Sequence, residues 1–419
     1  MTQPIETDLV IVGAGMVGLT LAALLADSGL KIRILESREI EPQQALAWEL
    51  SQREKGYDPR VSALTVASQQ VLSVAGVWGK IQQMRLMPYR AMDVWDGEGT
   101  GQIRFDCTEL HEPCLGHIVE NRVTQAALTQ QIAEQNNVEF STGVEIVEMT
   151  EADADSQRVL TLNNGEQCRV RCVVAADGAL SSTRRLAGIG MWEWDYGHHA
   201  IVTTVTTDKP NRATCWQRFT DDGPLAFLPL PEDGLSSIVW STSPDHAKAL
   251  MALDETEFCQ ALEQAFESRL GKVLHADQRF VFPLRQRHAR QYVKAGFAAI
   301  GDAAHTIHPL AGQGVNLGLM DAAALAETLL DSLEKGVQWN SEFQLRHFQR
   351  ARQSENLQMA ATMEGFKQLF NSTEPLARLL RNSGMNLMNR FSPVKNHLVQ
   401  QAMGLSGNLP RLARRPIKD

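Results

Sequence analysis

Residues 8–36 read DLVIVGAGMVGLTLAALLADSGLKIRILE, and the order of residue types in this stretch decides the fold. Residues 9–12 are an uninterrupted apolar run, the pattern of a central strand covered on both faces. Gly13, Gly15 and Gly18 follow as G-x-G-x-x-G, with Ala14, Met16 and Val17 between them. Residues 19–26 continue as a helix former rich in Leu and Ala, and a second strand, 31–35, ends at Glu36. The glycines suit a tight strand-to-helix turn, close approach of backbone to a pyrophosphate, and close packing of helix on sheet. A helix N-terminus here offers free N–H groups and a positive dipole end to phosphates. Glu36 stands 18 residues beyond Gly18, where an acidic side chain accepts hydrogen bonds from a ribose diol. The stretch predicts a dinucleotide-binding βαβ unit. A membrane span or signal sequence is excluded, because acidic Glu6 and Asp8 precede the run and three glycines interrupt it. An acid at this point suits NAD or the adenosine half of FAD equally, so these residues alone leave the dinucleotide open.

Outside this unit, 419 residues provide for two or three domains with a substantial core. With 43% hydrophobic and 21% charged residues the composition is that of a soluble globular protein. A formal net charge of −9 argues against nucleic acid as a partner. Cys107, Cys114, Cys168, Cys172, Cys215 and Cys259 form no C-x-x-C pair and no zinc spacing. They read as reduced, structural thiols of a cytoplasmic protein.

Along the chain, residues 37–58 are polar and irregular, a surface excursion. Residues 66–75 read as a helix, and Arg60 just ahead of it is a candidate for a phosphate or a flavin edge, with a solvated loop arginine as the competing reading. Residues 91–106 alternate and carry Gly97, Gly99 and Gly101, a hairpin in a second sheet. Residues 123–134 read as a helix, 138–147 and 158–162 as strands, and 168–175 as a buried strand closed by Asp177 and Gly178. From 200 to 282 the pattern is antiparallel, with strands at 201–206, 214–219, 225–230 and 236–240 and a helix at 254–269. A buried strand at 297–300 leads into GDAAHTIHPLAGQGVNLGLMDAAALAETLL, a loop and a long helix, and from 344 the chain is helical.

Three glycine-bearing motifs thus follow buried strands: residues 13–18, Asp177-Gly178 with Ser181 and Arg184, and Gly301-Asp302. If the three strands share a sheet, all three motifs lie on one edge, the ligand crevice of such folds. An Asp there can accept hydrogen bonds from a polyol. Gly312, Gln313, Gly314, Val315 and Asn316 open a helix whose N–H groups could face an electron-rich ring edge.

Together GAGMVG, VVAADGALSSTRR and AAIGDAAHTIHPLAGQGVNLG resemble the FAD-dependent aromatic monooxygenases of the para-hydroxybenzoate hydroxylase type. Within that group PRVSALT, LGHIVEN, SIVW and GDAAHTIHPLAGQGVNLG resemble the ubiquinone-biosynthesis hydroxylases of the UbiH/UbiF/UbiI type. The likeness runs from Asp8 to about residue 405. It implies an α/β fold in which a Rossmann-like FAD-binding domain (1–85, 107–190 and 283–340) carries an inserted, mainly antiparallel β substrate domain (86–106 and 191–282). C-terminal helices (341–419) complete it. It implies FAD as cofactor, with Gly13, Gly15 and Gly18 at the pyrophosphate, Glu36 at the adenosine ribose, Asp302 at the ribityl chain, and Asp177-Gly178 serving FAD and NAD(P)H. Pro309 and the loop from Gly312 to Asn316 would line the isoalloxazine, with the N–H groups of Val315 and Asn316 at its N1/C2=O edge, where anionic reduced flavin is stabilised. Arg60, and Asn121 or Arg122, look like further flavin contacts.

The implied reaction uses NAD(P)H as electron donor and O2 as co-substrate. A flavin C4a-hydroperoxide would deliver oxygen to the ring of a polyprenyl phenol or benzoquinol in ubiquinone biosynthesis. The cofactor performs the hard step, so the chain must position the ring and exclude water, and no side chain is singled out as the catalytic base. The alternatives are a related hydroxylase of a small soluble aromatic acid, a flavin reductase or dehydrogenase without oxygen insertion, and a redox-sensing flavoprotein or assembly scaffold.

Several residues invite competing readings. His305 and His308 suggest a metal pair, but they fall inside the flavin loop pattern, and no metal is expected. His198 and His199 are adjacent and cannot share a strand face, so they read as structural. Met191-Trp192-Glu193-Trp194 resembles the W-x-W of flavin-dependent halogenases but lacks the Ile-Pro that completes it. Phe219, Phe227 and Leu228 lie on strands that the resemblance turns toward the flavin, with sheet packing as the bland reading. The basic residues Arg411, Arg414, Arg415 and Lys418, with the Met- and Phe-bearing helices before them, read first as helix packing, within the chain or in a homo-oligomer. The sharper reading is peripheral contact at the inner membrane face. Other quinone-biosynthesis enzymes are further expected partners.

Overall fold

The computed structural model describes residues 4–41, 51, 56–307 and 313–371, together with 382–385, 387, 389, 395–396, 399–401, 403–405 and 407–415. Two large sheets organise them. The first has the strand order Val293–Lys294, Phe297–Ala299, Gln167–Ala175, Ile5–Val12, Ile32–Glu36, Val138–Thr142. Along this order four of the five pairings are parallel, and the first is antiparallel. Strand Gln167–Ala175 shares one edge between two neighbours: its first half pairs with Arg158–Leu162 and its second half with Phe297–Ala299.

The apolar runs seen in the sequence explain why these strands are central. Leu9, Val10, Ile11, Val173, Val174, Ala298 and Ala299 are all fully buried, as parallel strands covered on both faces must be. Helix Met16–Leu24 packs against the long helix Gln313–Glu334 and the helix Asn121–Ala133. Burial of that largely apolar surface, at about 25 cal/mol per Å2, is the main force holding the layer together.

The second sheet is nine-stranded and almost wholly antiparallel, built on the strand Met191–Thr207. The hairpin of Ala91–Asp96 and Gln102–Asp106 extends it through a parallel pairing with Thr214–Thr220. Helices Pro244–Ala252 and Glu255–Ala265 cover one face, where Trp240, Phe227, Phe258 and Phe266 are buried. Asp254 and Glu257 close a capping box at the start of the second helix, as S/T/D-x-x-E sequences do. A third, three-stranded sheet, Val61–Leu64, Gly116–Glu120 and Met87–Tyr89, sits between the two.

The structure departs from the sequence reading at several elements. The expected strand over 138–147 is two, Val138–Thr142 and Ile146–Met149, because Gly143 turns the backbone with φ +67°. The expected strand at 201–206 is the end of the 17-residue Met191–Thr207, which bulges between Asp195 and His198 around Gly197 at φ +63°. Helix Pro244–Ala252 and the small third sheet had no counterpart in the sequence reading. No helix among the described residues is long and apolar enough to cross a membrane.

Candidate functional site

Strand register brings the three glycine motifs to one edge. Val12 pairs with Ala175, and Ala175 with Ala299, in parallel strands. Gly13, Asp177 and Gly301 therefore leave the sheet at one level, on adjacent strands. Glu36 ends the strand on the other side of Ile5–Val12, where Leu35 pairs with Val12. At about 4.8 Å per strand, the row from Glu36 to Asp302 spans about 14 Å, fit for an extended dinucleotide.

Each glycine of the first motif meets a different environment. Gly13 adopts φ +103°, and a Cβ there would lie 2.5 Å from the Ala176 carbonyl oxygen. A Cβ on Gly18 would lie 2.3 Å from the Gly13 carbonyl oxygen. Both positions need glycine for the fold itself. Around Gly15 no atom stands within 4 Å of such a Cβ, and the same holds at Gly178, with φ +84°. The two open glycines flank the space where a pyrophosphate would approach the backbone, so the cradle fits a dinucleotide.

Glu36 is buried and preorganised: the Ala14 N–H donates to it at 2.9 Å, and the Arg38 N–H and Nε each donate at 3.0 Å. Burial pushes its carboxyl pKa up, but the Arg38 guanidinium and the two backbone donors outweigh this and hold it below the usual value. Gln125, from helix Asn121–Ala133, donates to the Ala14 carbonyl at 2.8 Å and so pins the turn from outside.

Ser181 caps the short helix Ser182–Leu186, and Asp177 supports that first turn by accepting from Ser181 Oγ and from the Thr183 N–H. Buried Arg184 crosses from that helix to the Ala303 carbonyl at 3.0 Å, tying the second motif to the third. Asp302, by contrast, is exposed, and its carboxylate has no hydrogen-bond partner among the described residues. An unpartnered acid at the end of the row is what a polyol chain would find. Gly301 adopts φ +58° and packs on Val17, and Gly318 closes on the same valine, its would-be Cβ 2.6 Å from Cγ2.

The helix Gln313–Glu334 begins beside this turn. Its first-turn N–H groups, including those of Gly314, Val315 and Asn316, are of the kind left without intrahelical partners. The Asn316 side chain faces inward: it accepts from the Thr65 N–H at 3.0 Å and Ser68 Oγ at 2.7 Å, and donates to the Ala63 carbonyl at 2.9 Å. Pro309 and Gly312 lie outside the described residues, as do His308 and the side chain of Gln313.

Other expected contacts are placed differently. Arg60 is exposed, and its guanidinium has no partner among the described residues, leaving it available. The Arg122 guanidinium instead donates to Glu120 at 2.9 Å and to the Gly56 carbonyl at 2.7 Å. Glu120 is buried and also receives Arg85, so Arg122 is part of an internal ion cluster. Asn121 accepts from Ser62 Oγ at 2.6 Å. Phe227 corrects the substrate expectation: it is 1% exposed and stacks on Phe266 at 3.9 Å in the core under the helices. Strand alternation puts Leu228 and Phe219 on the opposite face, where Phe219 stacks on Phe370 of the helix Glu342–Asn371 at 4.0 Å.

One group of site residues had little signal in the sequence. Asp321, the first acid of the helix Gln313–Glu334 and set among apolar residues, is fully buried under the Gly301 turn. It accepts from the Gly301 N–H at 3.1 Å, Arg352 Nε at 2.9 Å and Asn356 Nδ2 at 3.2 Å, and pairs with His305 Nε2 at 2.5 Å. Burial raises its pKa, but His305 and Arg352 more than offset this and hold it at about 2. Nearby His288 is pushed down to about 4 by burial. The charge within LGLMDAAALAE was the available clue. In the basic tail, Arg411 pairs with Asp331 and Arg415 with Glu112, while Lys418 lies outside the described residues.

The family described as "FAD binding domain" matches residues 6–343. Among curated proteins, the chain is 38% identical to the 3-demethoxyubiquinol 3-hydroxylase of Escherichia coli, over 95% of this chain and 99% of that protein. It is 34% identical to the ubiquinone hydroxylase UbiL of Rhodospirillum rubrum, over 97% of this chain and 92% of that protein. To the mitochondrial ubiquinone biosynthesis monooxygenase COQ6 of Xenopus tropicalis it is also 34% identical, over 95% and 93%. Among solved structures, the p-nitrophenol 4-monooxygenase PnpA of Pseudomonas putida superposes with a TM-score of 0.77, covering 97% of this chain and 99% of that one at 20% identity. The anhydrotetracycline hydroxylase OxyS of Streptomyces rimosus gives 0.70, covering 96% and 77% at 18% identity. At those identities the structures speak for the fold.

Proposed function

The chain belongs to the FAD-binding family of ubiquinone-biosynthesis hydroxylases, and from that premise we propose that it hydroxylates the ring of a polyprenyl phenol or benzoquinol with NAD(P)H and O2. The observation that carries the reading is the row of Glu36, Gly15, Gly178 and Asp302 along one sheet edge, open toward solvent at the two glycines and at the free carboxylate. FAD held there and reduced by NAD(P)H would supply the electrons that activate O2, so that one oxygen atom enters an electron-rich ring and the other leaves as water.

The chain's own residues do the rest. Glu36 would hold the adenosine ribose, and the backbone of residues 13–18 the pyrophosphate. Asp302 would hold the ribityl chain. The first-turn N–H groups of Gln313–Glu334 would face the edge of the ring system where negative charge gathers. Exposed Arg60 is the free cation best suited to a phosphate or flavin edge. On the substrate side we assign Phe219 and Leu228, which share a sheet face, in preference to Phe227. A polyprenyl substrate resides in a bilayer, so the same reading implies peripheral contact with the inner membrane face. Arg411 and Arg415 pair with Asp331 and Glu112 at the surface.

Quinone profiling of a strain deleted for this protein tests the assignment. A ring intermediate one hydroxylation short of product should accumulate, and restoring the intact chain should clear it. Normal quinone levels in the deletion strain would overturn the pathway while leaving FAD binding untouched.

A further inference from the structure

We propose that Asp321 and Arg352 are positioning residues for the cofactor, through which the C-terminal helix holds the Gly301-Asp302 turn in its binding geometry. The inference rests on the FAD reading above and extends it to residues that the glycine motifs do not include.

The argument starts from the cost of a buried charge. An isolated carboxylate with no exposed surface is strongly disfavoured unless donors surround it. Asp321 has four: the Gly301 N–H, His305, Arg352 and Asn356. Two of these belong to the cofactor loop and two to the helix Glu342–Asn371. One carboxylate therefore joins a loop and a helix that are otherwise distant in sequence. Arg352 is itself buried, and its Nη2 donates to Asn356 Oδ1 at 3.0 Å, so the guanidinium is oriented from both sides.

The network continues past the carboxylate. Asn356 donates to the Tyr292 hydroxyl at 3.3 Å, and Tyr292 stacks on His305 with ring centroids 5.9 Å apart. His305 is thus gripped by Asp321 at one edge and by Tyr292 on its face. Gly301, with φ +58°, keeps its left-handed turn with its N–H fixed on Asp321. The adjacent Asp302 is exposed, and its carboxylate has no hydrogen-bond partner among the described residues. A hydrogen bond to an ionised partner is roughly twice as strong as a neutral one. Charge on Asp321 is therefore what the turn needs.

Arg352 provides that charge balance from outside the three glycine motifs. Without it, Asp321 keeps its other donors but loses the guanidinium that compensates its burial. The turn then loosens at the residue beside Asp302, while the pyrophosphate cradle at Gly13 and Gly15, on a different strand, is untouched. The defect expected is weaker FAD binding, in preference to general unfolding.

Titration of FAD into apoprotein, with thermal midpoints measured on the same samples, tests this. Asp321→Asn and Arg352→Met should each raise the FAD dissociation constant by about tenfold or more, equivalent to 1.4 kcal/mol. Arg352→Lys should recover part of the loss. Asn356→Leu is a milder probe should either charge variant fold poorly, and it should shift affinity in the same direction. Arg158→Met is the control: Arg158 is equally buried but holds the Ala295 and Thr150 carbonyls, away from the cofactor turn. Wild-type affinity in Asp321→Asn, Arg352→Met and Asn356→Leu overturns the inference. So does an equal affinity loss in Arg158→Met at matched thermal midpoint. Failure of the wild-type chain to bind FAD would instead refute the underlying FAD reading.

Discussion

At the scale of single residues, the G-x-G-x-x-G motif divides its work between folding and binding. Gly13 and Gly18 are required by the protein's own backbone, since any Cβ there collides with a carbonyl oxygen. Gly15 is required by nothing in the chain: its φ is −78°, which any residue adopts, and the space beside it is open. The two substitutions should therefore separate. Gly13→Ala adds strain of about 1–3 kcal/mol and should lower both the thermal midpoint and the flavin content of the purified protein. Gly15→Ala should leave the apoprotein's thermal midpoint unchanged and weaken FAD binding by about tenfold. Equal effects of the two on apoprotein stability would contradict this division. Sequence reading assigned roles to all three glycines and to Glu36, because their spacing within one βαβ unit is itself a recognisable pattern. It did not identify Asp321, whose partners at 301, 305, 352 and 356 come together only in the fold. The same holds for Phe227: its strand was anticipated, but which face meets the covering helices depends on register, and one residue of slip exchanges the faces.

At the scale of elements, the helix Gln313–Glu334 is the part on which the cofactor motifs converge. Asn316 ties its first turn to the strand Val61–Leu64 and to the start of helix Val66–Val74. Gly318 packs against Val17 of the first motif, and Asp321 holds the third. Asn316→Ala removes these bonds and leaves the Ala63 carbonyl and the Thr65 N–H to find other partners. A cost of about 1–3 kcal/mol is expected, seen as a lower thermal midpoint together with reduced flavin content; a variant matching wild type in both would show that the staple does not hold the helix. The elements that the sequence made legible are those with a strong burial period, above all the parallel strands and the helix Met16–Leu24. The first half of Met191–Thr207 was not legible, because it is exposed on both faces: Trp192 and Trp194 are exposed, as are Glu193 and Asp195 on the other side. Without a buried face there is no alternation to read. Helix Pro244–Ala252 did carry a start signal, Ser243-Pro244-Asp245, in the N-cap, N1 and first-turn positions that favour helix initiation.

At the scale of the whole molecule, two sheets divide the labour and one helix spans them. Glu342–Asn371 has 30 residues, about 45 Å at 1.5 Å per residue. About a third of the way along it Arg352 reaches Asp321 beneath the cofactor turn, and at its end Phe370 stacks on Phe219 of the second sheet. The helix therefore connects the FAD edge to the face proposed for the substrate ring. The sequence foretold two unlike sheets and a helical C-terminal part, since the change from buried runs to alternation is visible in residue order. It did not show how the parts dock, which depends on contacts between residues far apart in the chain. The central claim is that this assembly inserts oxygen into a ring. Incubation of the FAD-loaded protein with NAD(P)H, a polyprenyl phenol and ¹⁸O2, followed by mass spectrometry of the product, tests it most directly. One atom of ¹⁸O in a new ring hydroxyl is the predicted result. A product free of the label, with NAD(P)H consumed all the same, would contradict the account.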